Sequence, residues 1–262
     1  MSLDNILIIL DNKTMSIKNK IVEIINFIED LFLKNHKCIC CKKEIPDSNK
    51  RGLCEKCFSK VEVFAGDLCS KCGEVVAGNL LCDSCKDMKY NFDENHSYAV
   101  YDEITGTIIK SLKYSGNKYI SKYIASMISE NKKYFEKVDY ITFVPISRER
   151  LKERGFNQAE EIANEVSKIL NIRVLSMLDK VKENTHQAGL SRNERISNII
   201  GTIEIKKDIS NELKGKSVMI VDDVFTTGST LSECAKVLKA NGVARVKTMT
   251  FAKTRQNMVK NG

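Results

Sequence analysis

Val218-Met219-Ile220-Val221-Asp222-Asp223-Val224-Phe225-Thr226-Thr227-Gly228-Ser229-Thr230 is the stretch on which the fold turns. Four successive apolar residues suit a central parallel strand covered on both faces. Asp222 and Asp223 follow at the carboxyl end of that strand, where open α/β sheets place their ligands. The hydroxyl-rich turn Thr226-Thr227-Gly228-Ser229-Thr230 then opens a helix. Its unpaired N–H groups and the positive end of the helix dipole attract an anion. Gly228 permits close backbone approach, and the hydroxyls add donors. Two adjacent carboxylates would repel a phosphate, so they suit neighbouring sugar hydroxyls or a metal-associated part of the ligand.

Working outward, strands and helices alternate on either side. The pattern predicts strands at 141–144, 172–175, 218–221 and 243–251, with helices at 104–112, 120–128, 159–170 and 230–240. Such alternation indicates a parallel sheet with crossover helices. Val144-Pro145-Ile146-Ser147-Arg148 leaves the end of one strand, and the polar stretch 180–198 is too long for a tight turn. Five of the nine arginines (Arg148, Arg150, Arg154, Arg192 and Arg195) fall in these two loop-like segments. Arginine presents a planar bidentate fork to phosphate, which lysine lacks; a solvated charged face is the plainer alternative.

Upstream the chain changes character. Nine of ten cysteines lie between Cys38 and Cys85, and eight form the pairs Cys38/Cys41, Cys54/Cys57, Cys69/Cys72 and Cys82/Cys85. In a reducing compartment this spacing points to tetrahedral zinc, two ions for eight thiolates. Sequential pairing gives two zinc ribbons; interleaved pairing and a redox dithiol are the other readings. Cys40 is left over, and Cys234 reads as a helix core residue. The segment has few large aliphatics and cannot close an apolar core alone. Acids balance bases across it, although Lys42, Lys43, Lys50, Arg51 and Lys56 gather in the first ribbon. Residues 16–33 carry an apolar helical stripe from Ile17 to Phe32, for packing or, less readily, for a membrane surface. The expected division is therefore an amphipathic helix at 1–37, a double zinc ribbon at 38–88 and the α/β domain at 89–262.

The composition, 42% hydrophobic and 29% charged, is that of a globular chain. No apolar run reaches membrane-spanning length, and nothing resembles a signal peptide, so a cytoplasmic location is expected. The net charge of +8 permits nucleic acid, phosphate or anionic lipid without selecting among them.

The thirteen-residue stretch resembles the 5-phosphoribosyl pyrophosphate (PRPP) signature of type I phosphoribosyltransferases. The resemblance implies that Asp222 and Asp223 hold the ribose hydroxyls, that Thr226, Thr227, Gly228, Ser229 and Thr230 hold the 5-phosphate, and that Arg148 faces the pyrophosphate, with Mg2+ accompanying PRPP. The stretch 180–198 would be a lid over the substrate, with Lys182, His186, Arg192 and Arg195 as its candidate contacts. More specific still are Arg150-Leu151-Lys152-Glu153-Arg154-Gly155-Phe156-Asn157-Gln158-Ala159, Thr185-His186-Gln187-Ala188-Gly189-Leu190-Ser191 and Leu112-Lys113-Tyr114-Ser115-Gly116. With the cysteine-rich front end they resemble the ComF family of competence proteins. That resemblance implies natural transformation, single-stranded DNA and DNA-uptake proteins as partners, and a place at the inner face of the membrane. Hypoxanthine-type relatives carry an aspartate where this chain has Thr226, so purine transfer by that route is not expected. Transfer from PRPP to another acceptor, and PRPP as a regulatory ligand, are the remaining readings.

Overall fold

A computed structural model describes residues 37–46, 48–78, 81–114, 117–181, 199, 201–207, 209 and 212–255. The amphipathic stripe at 16–33 and the lid candidates Lys182, His186, Arg192 and Arg195 lie outside these residues.

Two short helices, α1 (Glu55–Phe58) and α2 (Asp83–Asp87), belong to the cysteine-rich segment. The α/β part runs β1 (Glu94–Val100), α3 (Glu103–Tyr114), α4 (Ile120–Ile128), β2 (Tyr140–Phe143), α5 (Arg148–Arg154), α6 (Gln158–Leu170), β3 (Leu178–Lys180), β4 (Ile203–Ile205), β5 (Ser217–Phe225), α7 (Ser229–Ala240) and β6 (Arg245–Lys253). Four strands form a parallel sheet in the order β1-β6-β5-β2, and β3 pairs antiparallel with β4. The expected fold class, a parallel α/β sheet behind a cysteine-rich module, is the one observed.

Strand β5 is central because it can be buried on both sides. Val218 and Ile220 enter one apolar core, with Leu231, Cys234, Ala235 and Leu238 of α7. Met219 and Val221 enter the other, with Ile124 and Met127 of α4 and Ile162, Ala163 and Val166 of α6. That two-residue alternation is the pleat of a strand read directly from the sequence.

Three local expectations change. Residues 172–175 form no ladder: Val174 makes one parallel bridge to Ile141, closed by Ile141 N–H to the Arg173 carbonyl and Leu175 N–H to the Ile141 carbonyl. Arg148, Arg150 and Arg154 sit on a helix rather than a loop, because Ser147 caps α5 by accepting from Arg150 N–H and Gly155 ends it at φ 77°. Asp222 and Asp223 lie within β5, which continues to Phe225.

Candidate functional site

The carboxyl ends of β2 and β5 are neighbours: Phe143 pairs with Val221, and Val144 N–H donates to the Val221 carbonyl at 3.1 Å. Asp222 and Asp223 therefore emerge beside the loop that leads to Arg148. As consecutive strand residues they point to opposite sides. Asp223 is buried and receives the Lys113 ammonium at 2.6 Å, from the last turn of α3. Among the described residues no cation stands within salt-bridge distance of Asp222. Its Oδ1 accepts from the Asp223 N–H at 2.8 Å. Burial, with the Asp223 charge adding to it, raises its carboxyl to about 7, against the smaller opposing pull of that backbone N–H and of Lys113.

The turn follows at once. Thr226 is exposed, whereas Thr227 and Gly228 are buried. Gly228 takes φ 75° at the N-cap of α7, and its missing Cβ would stand 2.6 Å from Phe225 and 2.9 Å from Tyr90. No other residue fits that position without displacing both rings. The Thr227 and Ser229 hydroxyls meet at 2.7 Å, and the Tyr90 hydroxyl donates to the Thr227 carbonyl at 3.0 Å. Gly228 brings no capping side chain to α7, and the Thr227 hydroxyl accepts from the Ser229 N–H at 3.3 Å. The N–H groups that follow Ser229 in the first turn have no acceptor within the helix and suit an anion.

Arg148 is exposed and lines a separate cleft of about 560 Å³ with Pro145, Ile146, Lys180 and Val181. Arg154 turns elsewhere, donating to the Gln158 amide oxygen at 2.9 Å and lying over the Tyr114 ring. The structure thus brings Asp222, Asp223 and residues 226–230 together and sets Arg148 on a neighbouring wall. Sequence reasoning missed the role of Lys113. Its signal was available, a lysine at the end of a helix inside the quoted Leu112–Gly116 motif, but nothing local says which acid it meets.

The cysteines settle into two groups by sequential pairing. Cys38, Cys41, Cys54 and Cys57 form one, and Cys69, Cys72, Cys82 and Cys85 the other, with the sulfurs of each group within 4.8 Å of one another. Four converging thiols without a carboxylate among them are a donor set for structural tetrahedral zinc. Hydrogen bonding from Cys85, opposed by burial and helped by Lys253, lowers Cys72 to about 5, while the same contact and burial push Cys85 up. Cys40 stands outside both groups; burial raises it to about 11, and its thiol faces the Ile104 carbonyl. Cys234 is fully buried in α7, as a core residue should be.

Among the described residues no helix is long and apolar enough to cross a membrane. Residues 123–260 match the phosphoribosyl transferase domain family, and residues 29–86 match the double zinc ribbon domain. The chain is 28% identical over 227 residues to Competence protein F of Haemophilus influenzae, which covers 84% of this chain and 97% of that protein. It is 26% identical over 200 residues to Competence protein ComFC of Bacillus subtilis, covering 73% and 80% respectively. DNA utilization protein YhgH of Escherichia coli K12 is 26% identical over 211 residues, covering 78% of this chain and 91% of its own.

Proposed function

From a chain that belongs to the phosphoribosyl transferase domain family and carries a double zinc ribbon, we propose a PRPP-binding protein of the ComF type that acts in DNA uptake. The observation that carries this reading is one continuous unit. The acid pair Asp222–Asp223 lies near the carboxyl end of the central strand, which ends at Phe225, and a turn held open by Gly228 leads into the N-terminus of α7. In this reading the acids accept from the ribose hydroxyls. Residues Thr226, Thr227, Gly228, Ser229 and Thr230 donate to the 5-phosphate. Arg148, on the adjoining wall, meets the pyrophosphate through charge-assisted bonds.

Mg2+ would accompany PRPP and offset the charge of its diphosphate. The acid pair, which already holds one ammonium, suits a ligand that arrives with a cation. Lys113, at 2.6 Å from Asp223, would orient that carboxylate for the ribose.

The names of the relatives, competence and DNA utilization proteins, support a role in DNA uptake; the proposal extends this to handling of incoming single-stranded DNA with DNA-uptake partners, on the cytoplasmic side and peripheral to the membrane. Family membership favours a second reading, glycosyl transfer from PRPP to an acceptor other than a purine. Thr226 cannot supply the carboxylate that a purine-directed base would need.

The test is calorimetry of PRPP with Mg2+ on the full chain, with and without single-stranded DNA. Saturable PRPP binding that disappears when Asp222→Ala and Asp223→Ala are combined supports the site. A DNA affinity that falls steeply with salt supports the nucleic-acid role. An unchanged PRPP isotherm in the double variant removes the assignment of the acids. Pyrophosphate release with an acceptor selects the enzymatic reading.

A further inference from the structure

The second cysteine group does not end at its own ribbon. Cys69, Cys72 and Cys85 share an apolar core with Tyr90, Phe92, Val218, Ile220, Phe225 and Leu231, so the ribbon and the floor of the phosphate turn are one packed body. Shortly after Cys85 the chain delivers Tyr90, Asn91 and Phe92 to that floor. The Tyr90 hydroxyl donates to the Thr227 carbonyl at 3.0 Å across 137 residues of sequence. Its ring fills the space that a Cβ on Gly228 would claim, and stacks on Phe92 at 4.7 Å. Phe225 meets both rings edge-on, at 6.1 and 6.2 Å. Asn91 adds two bonds of 3.0 Å to the Ser232 hydroxyl, from its backbone N–H and from its side chain. From the other side, buried Lys253 lies over the Phe225 ring and pairs with Glu74, next to the Cys72 knuckle.

We infer that the second cysteine group, acting through Tyr90, positions the phosphate turn, so that zinc held by Cys69, Cys72, Cys82 and Cys85 and PRPP held by the turn stabilise one another. This rests on the reading of residues 226–230 as the 5-phosphate site. The physical reason is preorganisation. The donors of a five-residue turn point at a ligand only when its carbonyls and its left-handed glycine are fixed from behind. Here the fixing groups come from a segment whose fold depends on its metal. Release of the metal frees Tyr90, and the turn loses its brace. Linkage then requires the reverse effect, with PRPP slowing the release of that metal. The first group lies in the opposite core, with α4, and among the described residues none of its cysteines shares the core of Tyr90, Phe92 and Phe225 that backs the turn. Tyr90 is a positioning residue, acting through the Thr227 carbonyl and Gly228.

The experiment uses the full zinc-loaded chain and a colorimetric chelator, following zinc release with and without saturating PRPP and Mg2+. The expected result is two phases, of which PRPP slows one by about tenfold and leaves the other unchanged. Tyr90→Phe keeps the ring and two zinc ions per chain. It should bind PRPP about five- to tenfold more weakly in calorimetry and lose the protection of zinc, since a buried carbonyl is left without its donor. PRPP binding by the wild type with no change in either release phase overturns the linkage alone. No PRPP heat in the wild type overturns the reading of the turn and the linkage with it. Wild-type affinity in Tyr90→Phe overturns the assignment to Tyr90, and the release curves of the wild type decide the linkage even if that variant folds poorly.

Discussion

Replacing Lys113 by Met removes the only cation within salt-bridge distance of Asp223 among the described residues and keeps most of the side-chain volume. Breaking a buried pair by deleting one partner costs about 3–5 kcal/mol in general. The Lys113 and Asp223 side chains keep 22% and 11% of their exposure. Water therefore shares the Asp223 charge after the change, and a loss of about 1–3 kcal/mol is the figure to expect. The pH dependence is more diagnostic. Asp222 is raised from 3.8 to about 7 in the fold, so its contribution to stability is complete below pH 3.8 and disappears as pH rises through 7. Lys113 is one of the groups holding that value down. Without it, the carboxyl keeps its proton in the fold to higher pH, and stability goes on falling at up to about 1.4 kcal/mol per unit where the wild type has levelled. Urea unfolding of both proteins at about pH 6 and about pH 8.5 measures the gap. It should be the ion-pair loss alone at the lower pH and wider by about 1 kcal/mol at the higher. A gap that is the same at both, or one below about 0.3 kcal/mol throughout, would refute the coupling of Lys113 to the acid pair.

Two further outcomes concern the turn and its neighbours. Gly228→Ala forces a Cβ against Phe225 and Tyr90 at 2.6 and 2.9 Å in a left-handed backbone, and should cost about 2–4 kcal/mol in thermal or urea unfolding while abolishing PRPP binding. Combined Asp222→Ala and Asp223→Ala should instead leave the fold cooperative, remove the PRPP isotherm in calorimetry and flatten the stability profile between about pH 4 and 7, because the raised carboxyl is gone.

What could be read in advance follows from the range of the forces involved. The turn from Thr226 to Thr230 was legible because its parts are consecutive: strand, acids, glycine, helix. The cysteine spacing was legible for the same reason, although only three dimensions choose sequential over interleaved pairing. Strand β1 was not foreseen, since it buries Asn95 and Ser97, and their partners Thr248 and Thr250 lie on β6, far along the chain. A strand that satisfies buried polar groups across a sheet carries no apolar signature. The Lys253–Glu74 pair is invisible for the same reason: a lysine with 1% exposure looks like a surface residue until its partner is in place. At 172–175 the composition suggested a strand, but its residues are half-exposed or exposed beside a four-residue β2 and find a single bridge.

The two ribbons seal the two faces of one sheet, which argues against treating them as a detachable front end. Cys38, Ile39, Leu53 and Cys57 lie in the core beneath α4 and α6. Gly52 sits so close to Tyr123 of α4 that a Cβ would stand 2.4 Å from the ring, and Arg51 reaches Glu130 at 3.0 Å. Residues 62–64 also bond along the free edge of β1, through Val100 N–H to the Glu62 carbonyl and Phe64 N–H to the Tyr98 carbonyl. Cutting the chain at the boundary proposed at 88/89 would therefore strip apolar cover from both cores and uncover a strand edge, a template for aggregation. A fragment of residues 89–262 should be expressed insoluble or should bind a hydrophobic dye with no cooperative melt. Cooperative unfolding of that fragment at the stability of the full chain would show that each core closes without its ribbon. The same outcome would remove the structural basis for zinc acting on the turn, because a turn that forms without the second ribbon cannot depend on the metal that folds it.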